Sequence, residues 1–173
     1  MPNQALIIVL RLLHIMGGFF WAGSALVLAR FILPAIRASG PAGGAVMQQL
    51  MQHRKLPVAI NIAAAIAILS GLGLVWEMQS ISNGMWAHSA MGRTFSIGGV
   101  LGLTAAIIGG AIARPTANKI GALGAQIAAT QGPPSAEQAA QMQALQNRMA
   151  KTVGIVAGLL SLTVAFMAVA RYV

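Results

Sequence analysis

Apolar residues fill four long stretches of this chain, and polar residues are gathered into the segments between them. Each stretch comes close to the roughly 20 apolar residues that cross a bilayer as a helix. Because lipid offers no partner to a bare backbone N–H or C=O, such long runs without alternation must be helical. The pattern therefore predicts an all-α, polytopic membrane protein, a bundle of four transmembrane helices in a single domain. The predicted spans are residues 5–33, 56–76, 95–113 and 153–172.

The first segment between spans predicts a short helix of its own. Apolar and glutamine residues recur at helical spacing over residues 46–53, which is typical of an amphipathic helix at a membrane surface. Pro57 marks the junction of this helix with the second span, since the residue before a proline avoids the helical region. The first loop is thus expected to carry a cytoplasmic amphipathic helix.

The third segment, about 115–151, predicts a cytoplasmic helical hairpin made of two narrow apolar stripes on either side of a Gly-Pro-Pro turn. Ser135, with Gln138 three residues later, indicates a capping box at the start of the second helix. Arg114-Pro115 should kink or interrupt the end of the third span. Packing of the two stripes on each other is the favoured interpretation, and a docking surface is the alternative.

Composition supports a membrane protein and excludes several kinds of chemistry. The chain is 57% hydrophobic and 8% charged, which a soluble domain of this size could adopt only by exposing large apolar patches. The sequence has no cysteine, so disulfides, thiolate metal sites and cysteine nucleophiles are absent. No Ser/His/Asp set, carboxylate pair or phosphate-binding glycine loop occurs. The sequence therefore argues against a hydrolase or a nucleotide-driven enzyme.

The net charge of +9 arises from eleven Lys and Arg against only Glu77 and Glu137. In a soluble chain it would suggest nucleic acid, but eight of these cations lie in or beside the first and third loops. By the positive-inside rule those loops face the cytoplasm of a bacterial inner membrane, and both termini and residues 77–93 face outward. We expect the lipid bilayer, and a homo-oligomer or larger membrane complex, as partners, and no nucleic acid. The eight are Arg30, Arg37, Arg54, Lys55, Arg114, Lys119, Arg148 and Lys151.

One face of the first span carries the residues best suited to a cofactor. Arg11, His14, Gly18 and Trp21 follow a spacing of three and four, so they share that face. An ionisable residue within a span is a functional candidate, and imidazole is a good axial ligand for haem iron. Gly18 would leave room for a flat macrocycle, and Arg11 would meet its propionates. The alternative is that Arg11 snorkels to the interface, His14 is solvated and Trp21 packs in the core.

This first span also resembles a known group of proteins. His14, Trp21 and Gly23, with Arg30-Phe31 at the helix end, are similar to the first helix of small bacterial four-helix membrane proteins of the CopD copper-resistance and HemJ protoporphyrinogen-oxidase types. The resemblance implies a compact bundle and, for the HemJ type, a b haem held by the histidine of the first helix.

The chain departs from the HemJ pattern in ways that bear on activity. Pro34 follows soon after Phe31, and spans three and four have no charged residue in their interior, since Arg171 lies at the very end of the fourth. HemJ-type proteins carry further polar or charged residues after Arg-Phe and in the later helices. The resemblance therefore favours the fold over an oxidase activity. The leading hypothesis is a haem b-binding redox component or an accessory subunit of a membrane complex. Arg11 and Arg93 would lie at the propionates, and Glu77 would balance their charge through an ion pair.

The outward loop offers a second candidate site. Met85, His88 and Met91 are spaced by three, so one helical turn would align two thioethers and an imidazole, with Met78 close in sequence. Soft sulfur and imidazole suit Cu(I), while methionine is also a common apolar filler. His14 is the candidate iron ligand and this loop the candidate copper site. The alternatives to haem are thus outward copper handling and a purely structural membrane subunit with no cofactor and no enzymatic activity.

Overall fold

The computed structural model describes residues 3–130 and 132–173, which are helical almost throughout and contain no β-strand. Four continuous helical segments, which we call rods, are long and apolar enough to cross a membrane. They run over Gln4–Ala38, Leu56–Ile81, Ala90–Ala129 and Ala136–Tyr172. The predicted all-α four-helix bundle is confirmed. The α-helices are α1 Gln4–Val27, α2 Leu33–Ala38, α3 Gly40–Gln48, α4 Leu56–Ile81, α5 Ala90–Ile108, α6 Arg114–Ala129 and α7 Ala136–Val169.

The rods are longer than the apolar stretches that predict them, and in the first and third a side-chain cap marks where the helix begins. Asn3 caps α1, and its side chain accepts a hydrogen bond from Leu6 N at 3.2 Å. Ser89 caps α5, which therefore starts five residues before the predicted third span. The fourth span continues without a break from the second helix of the hairpin, so α7 includes both.

Two rods pass through a proline by way of one wider turn. A π-helical turn at Leu28–Ile32 precedes Pro34, and another at Gly109–Ala113 precedes Pro115. A proline ring clashes with the carbonyl four residues earlier and lacks an N–H, and a π-helical turn relaxes both constraints locally. The third rod therefore continues through Pro115, and the interruption expected there is reduced to this one turn.

The rods pair as two antiparallel hairpins, α1 with α4 and α5 with α7, and the hairpins meet chiefly through α1 and α7. Close approach depends on small residues. A Cβ on Gly17 would lie 2.8 Å from Ala63 O and 3.0 Å from Ala67 N, so α1 and α4 touch through their backbones. Gly98 similarly faces Thr163 on α7, where a Cβ would lie 3.4 Å from the carbonyl oxygen.

All four rods contribute to one core, which lies in the half of the bundle away from the chain termini. Its side chains are mostly small, and Trp21 is the largest of them. The surfaces that face outward are apolar, as lipid contact requires: Phe19 is 75% exposed and Ile107 is 68% exposed. The buried cluster is Trp21, Ala25, Ala63, Ala67, Ala105, Val156, Ala157 and Leu160.

The bundle has two unlike ends. The start of α1, the end of α7 and the connection between α4 and α5 lie at one end, which we call the terminal end. The other end, which we call the basic end, carries α2, α3 and the α6–α7 hairpin, with eight of the eleven Lys and Arg.

At the basic end, the first connection contains the predicted helix. It appears as α3 and a π-helical turn over Gln49–His53, and Pro57 lies in the first turn of α4. Arg37 on α2 donates a hydrogen bond to the backbone carbonyl of Gln146 on α7, so the first connection is tied to the hairpin.

The α6–α7 hairpin packs on itself, as expected. Leu123 on α6 is 5% exposed and lies with Leu145 of α7 along the groove between the helices. The predicted capping box is present: Gln138 N donates to Ser135 Oγ at 3.2 Å, and Ser135 N donates to Gln138 Oε1 at 3.0 Å.

Candidate functional site

The imidazole of His14 lies half-buried between α1 and α4 and is held by the backbone of α4. Its Nδ1 atom is 2.7 Å from the carbonyl oxygen of Ala67. The ring fills a notch at Gly71, where a Cβ would lie 2.8 Å from Cε1 and 2.9 Å from Nδ1 of the ring. The ring is thus positioned by two features that only the α1–α4 pairing supplies.

This contact defines the tautomer of the neutral ring. A carbonyl oxygen only accepts hydrogen bonds, so Nδ1 must carry the proton and donate a hydrogen bond to Ala67 O. Nε2 then keeps its lone pair. Histidines that bind metals usually donate their other ring N–H to a carbonyl or carboxylate in this way, which fixes ring orientation and raises the basicity of the ligating nitrogen.

A buried hydroxyl lies beside the same carbonyl. Ser70 is 4% exposed, and its Oγ is 2.5 Å from Ile66 O and 3.3 Å from Ala67 O. Ala67 O is therefore approached by both His14 and Ser70. Sequence reasoning did not identify Ala67, Ser70 or Gly71 as site residues. The available signal was the four-residue spacing of Ala63, Ala67 and Gly71, which marks one small-residue face of the second span.

The other residues predicted on the His14 face are placed differently. Gly18, one turn further along α1, has no heavy atom within 4 Å of where a Cβ would be, so there is open space beside it. Trp21 is only 8% exposed and packs in the core, as the alternative interpretation of this face expected. Arg11 is exposed on the preceding turn. The structure thus brings His14 to α4 and leaves space next to Gly18.

Arg93 and Glu77 lie near the terminal end. Arg93 is exposed in the first turn of α5, and Glu77 is half-buried near the end of α4. The ion pair of Glu77 with Arg11 or Arg93 stays a prediction.

The proposed alignment of the copper-site residues is wrong. Met85 immediately precedes a 3₁₀ turn at Trp86–His88, but Ser89 then adopts an extended conformation, with ψ at 157°, before α5 begins. Ser89 Oγ accepts a hydrogen bond from Gly92 N at 3.0 Å, so the serine starts a new helix and Met91 belongs to it. The three side chains therefore do not share one continuous helical turn.

The residues of the candidate copper site are exposed or half-buried. Met85 is 65% exposed, Met91 is 36% exposed, His88 is exposed, and Met78 is half-buried on α4. Within the described part of the chain, no three His, Asp or Glu side chains are grouped so that they could hold a metal ion. Copper binding by the methionines and His88 stays a prediction.

Local contacts join the α4–α5 connection to the neighbouring helices. The Trp86 and Phe95 rings are stacked with centroids 6.1 Å apart. Ala87 N donates to Gln79 Oε1 at 3.3 Å, and Trp86 N donates to Ser82 Oγ at 2.9 Å. These contacts hold the connection close to the ends of α4 and α5.

No protein-family model, curated protein or solved structure matches this chain. The likeness of the first span to CopD-type and HemJ-type proteins therefore depends on His14, Trp21, Gly23 and Arg30-Phe31 alone.

The donor set can be tested against haem from the geometry. His14 fits a single axial bond, because Nδ1 is engaged by Ala67 O and Nε2 is left as the donor. The open space beside Gly18 is on the same side of α1. Trp21 is buried in the core. His88 and Met91 could supply a second axial ligand only if the outer loop folded inward; His88 lies on the connection between α4 and α5, and Met91 lies in the first turn of α5. The predicted spans can thus supply one axial ligand to a haem iron, which is His14 Nε2.

Proposed function

We propose that this protein is a small integral membrane subunit that binds a b-type haem through His14 and serves as a redox component or accessory subunit of a membrane complex. The observation that carries the proposal is the 2.7 Å contact of His14 Nδ1 with Ala67 O, which leaves Nε2 as a ligating nitrogen. The enzymatic activity of the HemJ type is not part of the proposal, because the sequence departs from the HemJ pattern at Pro34 and in its third and fourth spans.

Each residue of the site has a distinct task under this proposal. His14 Nε2 is the axial donor, Ala67 O holds the ring through Nδ1, and Gly71 leaves the notch into which the ring fits. Gly18 keeps the adjacent turn of α1 free of a side chain, and Arg11 supplies a cation one turn nearer the terminal end. When bound, haem would supply a one-electron redox centre whose potential depends on its axial ligands and on burial.

We further propose that the protein lies in the cytoplasmic membrane of a bacterium with its basic end inside. The support is the concentration of eight of eleven cations at that end. Both termini and the α4–α5 connection then face outward.

A purely structural subunit is the second candidate, and one observation favours it. His14 already has a hydrogen-bond partner and fits the Gly71 notch, which is also what a ring that only joins two helices would require. Under this alternative, the exposed apolar faces and the α1–α4 joint serve assembly alone.

Optical spectra separate the two candidates. The purified full-length protein, reconstituted with excess haemin and cleared of unbound haem, should show a Soret band and a reduced-minus-oxidised b-type difference spectrum. His14→Ala should lose both. His53→Ala is the matched control, because His53 is exposed at the basic end and should leave the spectra unchanged. If the wild-type protein shows no Soret band after the same treatment with haemin, the structural subunit is favoured.

A further inference from the structure

An apolar cleft of about 310 Å³ opens on the surface of the bundle near the basic end. Its walls come from α1 between Phe19 and Val27, from Leu28 and Ile32 in the π-helical turn, and from Leu56 at the start of α4. Phe19 is 75% exposed and Val27 is 45% exposed, so the cleft faces the surroundings of the bundle. If α1 spans the bilayer, this cleft opens towards the acyl chains.

Exposed cations adjoin the cleft at the start of α4. Arg54 and Lys55 are exposed and directly precede the wall residue Leu56. The first 76 residues contain no Asp or Glu, so no carboxylate from α1, α2 or α3 can neutralise these charges.

The start of α4 itself adds positive potential. Lys55 occupies the N-cap position with a left-handed φ of 50°, and no side chain caps the helix. The positive end of the dipole of this 26-residue helix therefore lies at the same place as the two cations.

We propose that this cleft binds an anionic phospholipid of the surrounding bilayer. The acyl chain would lie along Phe19, Gly23 and Leu28, and the phosphate would meet Arg54 and Lys55. A neutral lipid would leave the cations unused, and a free phosphate would leave the cleft unfilled. The cleft wall begins at Phe19, five residues or about 8 Å along α1 from His14, and none of the residues proposed to hold haem lines it.

The expected preference follows from the charges. Each Lys or Arg near an anionic lipid surface strengthens binding by about fivefold. Two such residues predict a preference of about 25-fold for phosphatidylglycerol over phosphatidylcholine.

Native mass spectrometry of the full-length protein, titrated with an equimolar mixture of these two lipids, measures that preference directly. Arg54→Gln/Lys55→Gln removes both cations and should abolish the preference, so that the two lipids are retained nearly equally. The matched control is Arg148→Gln/Lys151→Gln, which removes two exposed cations from α7 at the same end and should leave the preference nearly unchanged.

A second variant tests the cleft rather than the charges. No heavy atom lies within 4 Å of a Cβ at Gly23, so Gly23→Leu fills the cleft without a backbone clash. It should reduce retention of both lipids several-fold, whereas Gly158→Leu, at an equally open position on α7, should not.

Three results would overturn the proposal. The first is equal retention of the two lipids by the wild-type protein. The second is an equal loss of preference in the two charge variants, which would mean that the cations act as a diffuse field. The third is displacement of phosphatidylglycerol by inorganic phosphate alone, which would show that the cleft contributes nothing.

Discussion

Replacing Gly71 by alanine should destabilise the bundle through His14. The new Cβ would lie 2.8 Å from Cε1 and 2.9 Å from Nδ1, so the ring must move away from α4 and lose its hydrogen bond to Ala67 O. Alanine raises the free energy of unfolding by about 0.5–1 kcal/mol relative to glycine in a helix. Loss of the hydrogen bond lowers the free energy of unfolding by about 0.6–1 kcal/mol. Overpacking lowers it by about 1–3 kcal/mol more. The sum predicts a net loss of about 1–3 kcal/mol.

Unfolding of the reconstituted protein in mixed detergent–SDS micelles measures this loss. Gly99→Ala is the matched control, because nothing lies within 4 Å of a Cβ there, and it should be neutral or slightly stabilising. A double-mutant cycle with His14→Ala isolates the contact, since Gly71→Ala should cause no loss once the ring is absent. If Gly71→Ala is as stable as Gly99→Ala, or if its effect is the same with and without the ring, the described position of His14 is incorrect.

Two further predictions concern orientation and copper. Because the chain has no cysteine, single introduced cysteines report its orientation cleanly: Ser80→Cys should react with an impermeant maleimide in intact spheroplasts, and Gly132→Cys only after lysis. The opposite labelling pattern would reverse the proposed topology. The copper hypothesis predicts stoichiometric Cu(I) binding that is lost in Met85→Leu/Met91→Leu and retained in His14→Ala, measured by competition with a Cu(I) chelator. Retention of Cu(I) by the double variant would remove this site.

The architecture could be predicted because its causes are local in sequence. Long apolar runs determine the four rods whatever their neighbours are. The Ser135 capping box involves only Gln138, three residues away, and was correctly predicted from those two residues. The wider turn before Pro115 was not predicted, since a proline can be accommodated by a kink, a break or a π-helical turn.

The site was only half accessible to sequence reasoning. His14 stands out because an imidazole within a span is rare, but its partner depends on how α1 is rotated against α4. That rotation is set by the backbone contact at Gly17. Residue spacing within a single helix cannot predict this contact, because it depends on a second helix. The alignment of Met85, His88 and Met91 failed for a different reason: Ser89 caps a new helix, and this local hydrogen bond overrides the three-residue spacing.

The proposed haem site depends on a hydrogen bond that His14 Nδ1 donates to Ala67 O, because this bond keeps Nε2 available as a ligand. ¹⁵N NMR of the imidazole measures this directly, and His53→Gln/His88→Gln leaves His14 as the chain's single histidine. In the neutral form of the ring, we expect the proton on Nδ1 and an unprotonated Nε2. A ring protonated at Nε2, with Nδ1 bare, would contradict this expectation.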